Sequence, residues 1–352
     1  MKILKYLVVA MLAMASPALA QKTDLMQPLT PTVTIYSTPE GTTHPLGISG
    51  PAGVTPLWNI AQWGTYLDLQ PAVNSGVPWT IANDYARMKF EATDSQDAQF
   101  SNVYELAQSN QTCEHERDLF LQPNGLDSPN PGFQKSAHIS ELGSLYGSVI
   151  LRPQYFQTSS DCAYQYAQYV YSIVLQTDNH PGHPELEQTW FYQINIGRDA
   201  YFPTQTYNGW CPGYDDVNNP LFCSDDDVRN MNTGFFVFGN AGGKVDFDML
   251  PRIKELIKSN HQKVGAGAGV TLDPDPSHWR VLGAYIGAIG QGKTVMTVRV
   301  SDPKFVQYQG GTFPDGQGKA VQFICNVSAP PNDWGWSPQA DGCFHRQTQN
   351  QY

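Results

Sequence analysis

Basic residues are scarce in this chain: 21 Lys and Arg stand against 32 Asp and Glu in 352 residues, a net charge of −11. An acidic body of this kind repels nucleic acid and anionic membranes, so neither is expected as a partner. Polyanionic substrates are disfavoured on the same ground, and neutral glycans or proteins fit better. No Cys-x-x-Cys pair occurs, which argues against a zinc ribbon or a thioredoxin-type centre. Beyond residue 20 no stretch supplies the roughly 18–20 apolar residues of a membrane span, so no membrane insertion is expected. Neither Gly-x-Ser-x-Gly nor His-Glu-x-x-His occurs, leaving the serine-hydrolase and zincin readings without support. The EF-hand pattern is missing too, and Asp215-Asp216 and Asp225-Asp226-Asp227 read as solvated acidic loops. No cofactor is expected: structural calcium is possible there but unsupported. The sequence sets no oligomeric state.

What is present begins with MKILKYLVVAMLAMASPALA. Lys2 and Lys5 form a positive start, Tyr6 to Ala15 an apolar centre, and Ala18-Leu19-Ala20 a small-residue cleavage site. The chain is therefore expected to be secreted, extracellular or periplasmic, with residues 1–20 as signal peptide. Cleavage removes two lysines and leaves 19 basic against 32 acidic residues, a net charge of −13. Six cysteines, Cys113, Cys162, Cys211, Cys223, Cys325 and Cys343, suit disulfides in an oxidising compartment. Six allow 15 connectivities. Pairing of sequence neighbours is expected: 113–162, 211–223 and 325–343.

Runs rich in aromatic and β-branched residues recur between Gly, Pro and Asn clusters. They include YARMKFEA (85–92), RDLFLQ (117–122), YVYSIVLQ (169–176), TWFYQINIG (189–197), FFVFGN (235–240), WRVLGAYIG (279–287) and TVMTVRV (294–300). Several alternate in polarity, as antiparallel strands with one face on a core do. One helix is expected at 248–260, capped by Asp248, with Leu250, Ile253 and Ile257 on one face. The fold expected is all-β: a two-sheet antiparallel β-sandwich with long loops and one short helix. In architecture it resembles the jelly-roll, concanavalin-like sandwiches that bind or cut carbohydrates. Residues 21–56 are read as an extended lead-in, 57–310 as the sandwich, and 311–352 as a disulfide-pinned C-terminal segment.

GAIGQGKT (287–294) matches the phosphate-cradling pattern at every fixed position, but the Val-Met-Thr-Val-Arg-Val that follows has no helical stripe. A glycine-rich hairpin explains the same letters.

The chemistry-bearing candidates lie elsewhere. In CEHERDLFL, an extended chain projects Glu114, Glu116 and Asp118 to one side, neighbours roughly 6.5–7 Å apart. Glycoside hydrolysis needs two carboxyl groups about 5–5.5 Å apart for retention or about 6.5–9.5 Å apart for inversion. A solvated strand face is the bland reading of the same pattern. In ELEQTWFYQINIG (185–197), Glu187, Phe191, Gln193 and Asn195 share a side, with Trp190, Tyr192, Ile194 and Ile196 opposite on a credible core face. Carboxylate, ring and amide together suit a sugar-binding surface. Gln62 and Trp63 in WNIAQWG and His278 in DPSHWRV complete the candidate substrate-binding set. His180 and His183 have ligand-like spacing but sit in a turn-like Pro-Gly context.

Three functions are compatible with these residues. The first is a glycoside hydrolase on a neutral polysaccharide, with Glu116 paired to Glu114, Asp118 or Glu187. The second is a non-catalytic, lectin-like glycan binder. The third is a β-sandwich peptidase of the glutamic type.

Overall fold

A computed structural model describes residues 21–38, 44–159, 161–163, 165–178, 188–201, 213–214, 220–224, 242–259, 273–310, 320–325, 337–338 and 343–348. The chain forms a two-sheet, nearly all-β sandwich, in which FFVFGN lies outside the described residues. The ten-stranded sheet runs in the order β18 (Ser337–Pro338), β19 (Cys343–Thr348), β17 (Ala320–Cys325), β14 (Gly242–Asp248), β9 (Leu142–Thr158), β16 (Thr294–Gln309), β7 (Ser101–Asn110), β6 (Ala86–Thr93) and β5 (Trp79–Ala82). Its tenth strand, β1 (Gln21–Asp24), adds to β16. The nine-stranded sheet runs β12 (Gly213–Tyr214), β13 (Pro220–Ser224), β11 (Thr189–Tyr201), β10 (Gln165–Thr177), β15 (Trp279–Gln291), β8 (Glu116–Pro123), β4 (Trp58–Trp63), β2 (Val33–Thr38) and β3 (His44–Ser49). Pairing is antiparallel except between β2 and β4 and between β11 and β13. The segments 21–56 and 311–352, expected to flank the sandwich, both supply strands to it.

Alternation builds the core. Trp58, Ile60, Leu119, Leu121, Tyr169, Tyr171, Tyr192 and Ile286 point from one sheet toward Phe90, Tyr104, Val298 and Phe305 of the other, all buried. Several ring tips in the core, Trp79 included, find backbone partners from the lead-in and from β16. Trp58 Nε1 donates to the Pro28 carbonyl at 2.9 Å, Trp79 Nε1 to Pro31 at 2.7 Å and Tyr171 Oη to Lys304 at 2.7 Å. An indole or phenol buried without a partner would be destabilising, so the proline-rich lead-in completes the core rather than trailing from it.

The expected helix forms as α1 (Leu250–Ser259), with Ile253 and Ile257 buried. Asp248 accepts from the Leu250 amide at 3.1 Å, as a capping residue does. Among the described residues no helix is long and apolar enough to cross a membrane. In GAIGQGKT, Gly287 to Gln291 end β15, and Gly292 (φ 72°) and Lys293 turn the chain into β16 at Thr294. It is not a hairpin, however: β15 belongs to one sheet and β16 to the other, so the turn carries the chain across the sandwich.

One feature of the ten-stranded sheet escaped the sequence reading. The register aligns Lys89, Glu105, Arg299 and Arg152 in one row across β6, β7, β16 and β9, on the side away from the core. Arg299 holds Glu105 through Nε and Nη2, both at 3.1 Å, and Glu91 at 2.8 Å. Asp94 pairs with both Arg299 and Arg152, and Asp97 lies 3.8 Å from Arg152. These acids come from β6, β7 and the loop between them. The network thereby pins that loop to the middle of the sheet.

Burial alone would push the Glu91 carboxyl up. Hydrogen bonds from Lys89 and Ser95, with the Arg299 charge, outweigh it and hold the pKa at about 2 against a usual 4.5. Because the folded value is the lower one, the stability Glu91 contributes is complete above about pH 4.5 and lost as pH falls through about 2. Thermal unfolding of the wild type and Glu91→Gln should therefore differ most near about pH 6 and converge near about pH 2. A gap that stays constant across that range would show that the charge of Glu91 is not what holds the loop.

Candidate active site on the nine-stranded sheet

The acidic alternation around Glu116 starts later than the letters suggest. Cys113 is bonded to Cys162, their Cα atoms 5.3 Å apart, as expected from sequence proximity. Cys113 and Glu114 form a bend at this bridge, and β8 begins only at Glu116. Glu114 is exposed on the bend and so drops out of the strand-borne pair. Cys325 and Cys343 are cross-strand partners in register, and Cys223 lies on β13. Cys211 lies outside the described residues, as do Glu187, His180, His183 and both acidic runs.

The bridge joins the approaches to β8 and β10, the two strands that flank β15. In the first row beyond it, Glu116, Gln291 and Tyr166 are aligned across the three strands. The Tyr166 hydroxyl crosses this row and donates to Glu116 Oε2. One step along β8, Asp118 projects from the same face with Trp63 and Ile289 as cross-strand partners, and is only 7% exposed. Their Cα atoms are about 6.5–7 Å apart by strand rise.

Beyond Asp118 the face turns apolar and aromatic. Phe120 packs with Ala61, Val170 and Ile289, and Trp63, Tyr166 and Tyr285 lie against the group. The Tyr285 ring meets Phe120 at 4.7 Å in a T-shaped contact and Phe191 at 6.4 Å, and its hydroxyl donates to Gln193 Oε1 at 3.4 Å. Gln193 and Gln168 are buried on this face, and the backbone of Asn195 is in register with Val170. Phe191, Gln193 and Trp63 thus share the face with Glu116 and Asp118. Tyr192 and Ile194 lie in the core opposite, as alternation requires.

Two expected members are elsewhere. Gln62 points into the sandwich, where it donates to the Tyr36 carbonyl at 3.3 Å and accepts from the Leu69 amide at 2.8 Å. It is a structural amide because its neighbour Trp63 takes the outer face. His278 precedes β15 at the end opposite Gln291, roughly 40 Å from Glu116 by strand rise. Its Nδ1 lies 2.7 Å from Asp273, and that hydrogen bond raises its pKa.

The same end carries a second charged cluster. His138 Nε2 bonds Asp178, and Arg280 bridges them, 3.0 Å from Asp178 and 3.1 Å from His138 Nδ1. Burial would raise Asp178, yet the His138 hydrogen bond, Arg280 and Lys135 bring it to about 2. No group of three or more metal-ligating side chains occurs among the described residues.

Sequence reasoning missed Tyr166, Gln168 and Tyr285. The signal for the first two is an alternation of Tyr166, Gln168, Val170 and Ser172 with Ala167, Tyr169 and Tyr171, which begins before the run at 169–176, and Tyr285 lies within the run at 279–287.

Gly287 is the pivot of the aromatic patch. It faces Phe120 across β15 and β8, and an added Cβ would come within 2.4 Å of the Phe120 ring and 2.5 Å of the Leu119 carbonyl. Gly287→Ala should destabilise the fold by about 1–3 kcal/mol in chemical denaturation, since the obstruction includes backbone. An unchanged midpoint would show that the ring does not lie against this glycine.

No family model matches the chain, and no curated protein does. Solved structures do match. A loop-swap mutant of Necallimastix patriciarum Xyn11A is 9% identical, covering 67% of this chain and 97% of that one at a TM-score of 0.33. The catalytic domain of Humicola grisea Cel12A is 12% identical, covering 64% and 95% at 0.30. The Trichoderma harzianum endoglucanase 3 from family GH12 is 10% identical, covering 66% and 98% at 0.26.

Proposed function

We propose that the chain is an exported protein whose outer nine-stranded face holds a neutral glycan and hydrolyses it with Glu116 and Asp118. The observation that carries this reading is their placement on one strand face, side by side, within a patch of rings and amides. Side chains leaving one strand face at a Cα spacing of about 6.5–7 Å suit the wider carboxyl separation that leaves room for a water, the inverting arrangement. Glu116, exposed and accepting from Tyr166, takes a proton from that water. The water oxygen bonds the anomeric carbon as the glycosidic bond breaks. Asp118, screened by Trp63 and Ile289, gives its proton to the departing sugar oxygen. Trp63, Phe191 and Tyr285 supply ring faces for sugar C–H surfaces, and Gln193 an amide for hydroxyls.

One observation favours a binding function without turnover. The strands β4 and β15 beside β8, and β10 beyond β15, carry no Asp or Glu, and Gln168 of β10 and Gln291 of β15 occupy outward positions. The pair on β8 therefore has no carboxyl facing it from a strand beside it.

One experiment separates the readings. The purified chain is incubated with hydroxyethylcellulose, xyloglucan, galactomannan and starch, and new reducing ends are measured alongside binding. Turnover should appear on at least one polymer and fall by roughly 10²–10⁴ in Glu116→Gln and in Asp118→Asn. Undiminished turnover in Glu116→Gln would remove the assigned pair. Binding that depends on Trp63 with no reducing ends would establish the lectin-like function instead.

A further inference from the structure

We propose that a groove on the outer face of the ten-stranded sheet is a second binding site for a neutral glycan chain, on the opposite side of the sandwich from Glu116. This deepens the reading of the molecule as a glycan-binding protein and rests on it. The groove has a volume of about 1050 Å³, ample for several sugar rings. It opens where β16 changes neighbours. Residues Thr294–Val300 pair with β7, and Val306–Gln309 pair with β1. Between these stretches the register against β9 shifts from Ser301 to Lys304. That bulge places Asp302 in the left-handed region at φ 47°, and Asn102, at the facing start of β7, stands at φ 50°. Bulges and left-handed non-glycine residues carry a conformational penalty, and both concentrate where a surface has been shaped for a ligand.

The lining specifies the ligand class. Phe100, Tyr146 and Tyr308 bring rings, while Gln27, Gln99 and Asn102 bring amides. Four of the charges at the rim pair within strands or turns, Lys22 with Asp24 at 3.2 Å and Lys304 with Asp302 at 2.8 Å, and Lys244 adds a fifth. Rings and amides, with two of the three lysines each balanced by an aspartate, suit a polyhydroxylated ligand that carries no charge.

The buried ion network gives this wall its rigidity. Asp94 and Asp97, held by Arg299 and Arg152, each accept a backbone amide two residues on, from Gln96 at 2.8 Å and from Gln99 at 3.2 Å. The Arg152 guanidinium lies 4.7 Å from the centre of the Phe100 ring. Two arginines buried side by side are a demanding arrangement, and its return is a loop fixed where Gln99, Phe100 and Asn102 meet the groove.

Affinity electrophoresis of the full chain in gels containing each of the four polymers tests this, using Tyr308→Ala, Gln99→Ala and Trp63→Ala. Tyr308→Ala and Gln99→Ala should each weaken retention roughly three- to ten-fold, and Trp63→Ala should weaken it further when combined with either. Gln99 is exposed on its loop, so its variant carries the test if Tyr308→Ala does not fold. Wild-type retention in both groove variants, with loss only in Trp63→Ala, overturns the second site and leaves the first standing. Absence of retention for the unmutated chain on every polymer overturns both.

Discussion

Leu119 and Leu121 lie buried against the opposite sheet, and a strand that buries them must turn Asp118 and Phe120 the other way. The same constraint acts on β10, where Tyr169 and Tyr171 enter the core and Gln168 and Val170 leave it, and on β15, where Ala288 enters and Ile289 leaves. Three adjacent strands obeying one alternation produce a coherent outer face without any of its residues having to attract one another. A shift of one residue in β8 would turn Arg117, Leu119 and Leu121 outward in place of Glu116, Asp118 and Phe120. The Cys113–Cys162 bridge guards against that slip, because it fixes the entry points of β8 and β10 on either side of β15.

Much of this was legible in the sequence. Strand identity follows from short β-branched and aromatic runs, and the side-by-side placement of Glu116 and Asp118 follows from a period of two. Glu114 departed from the pattern because a covalent cross-link to a residue 49 positions away bends the chain at its N-terminal side. Gln62 departed because alternation gives relative sides, while only the opposite sheet decides which side is the core. The GAIGQGKT turn illustrates a related limit. Letters that close a hairpin also carry a chain from one sheet to another, and the difference lies in hydrogen bonds made to strands distant in sequence. The Arg299 network was out of reach for the same reason, since Arg299 meets Asp94 across 205 positions and Glu105 across 194.

The two outer faces are built by different physics. Around Glu116 the ordering comes from rings packed over a glycine and from amides buried among them. Around Arg299 it comes from charge, four acids set against four bases once Lys89 and Arg87 are included with the arginines. Ion pairs withdrawn from water give little net stability when their desolvation is counted. Their value lies in direction: a guanidinium fork donates to carboxylates from few angles, and so fixes the path of the loop that delivers them.

That difference sets how each part of the molecule responds to dissolved ions. Counterions attenuate the attraction between solvent-facing pairs such as Lys22–Asp24 and Lys304–Asp302, which are about half exposed. They reach Arg299, at 3% exposure, far less. In concentrated brine the rim of the back groove would lose its electrostatic character while the shape of its wall persisted. The surface would then become more nearly neutral without becoming less ordered.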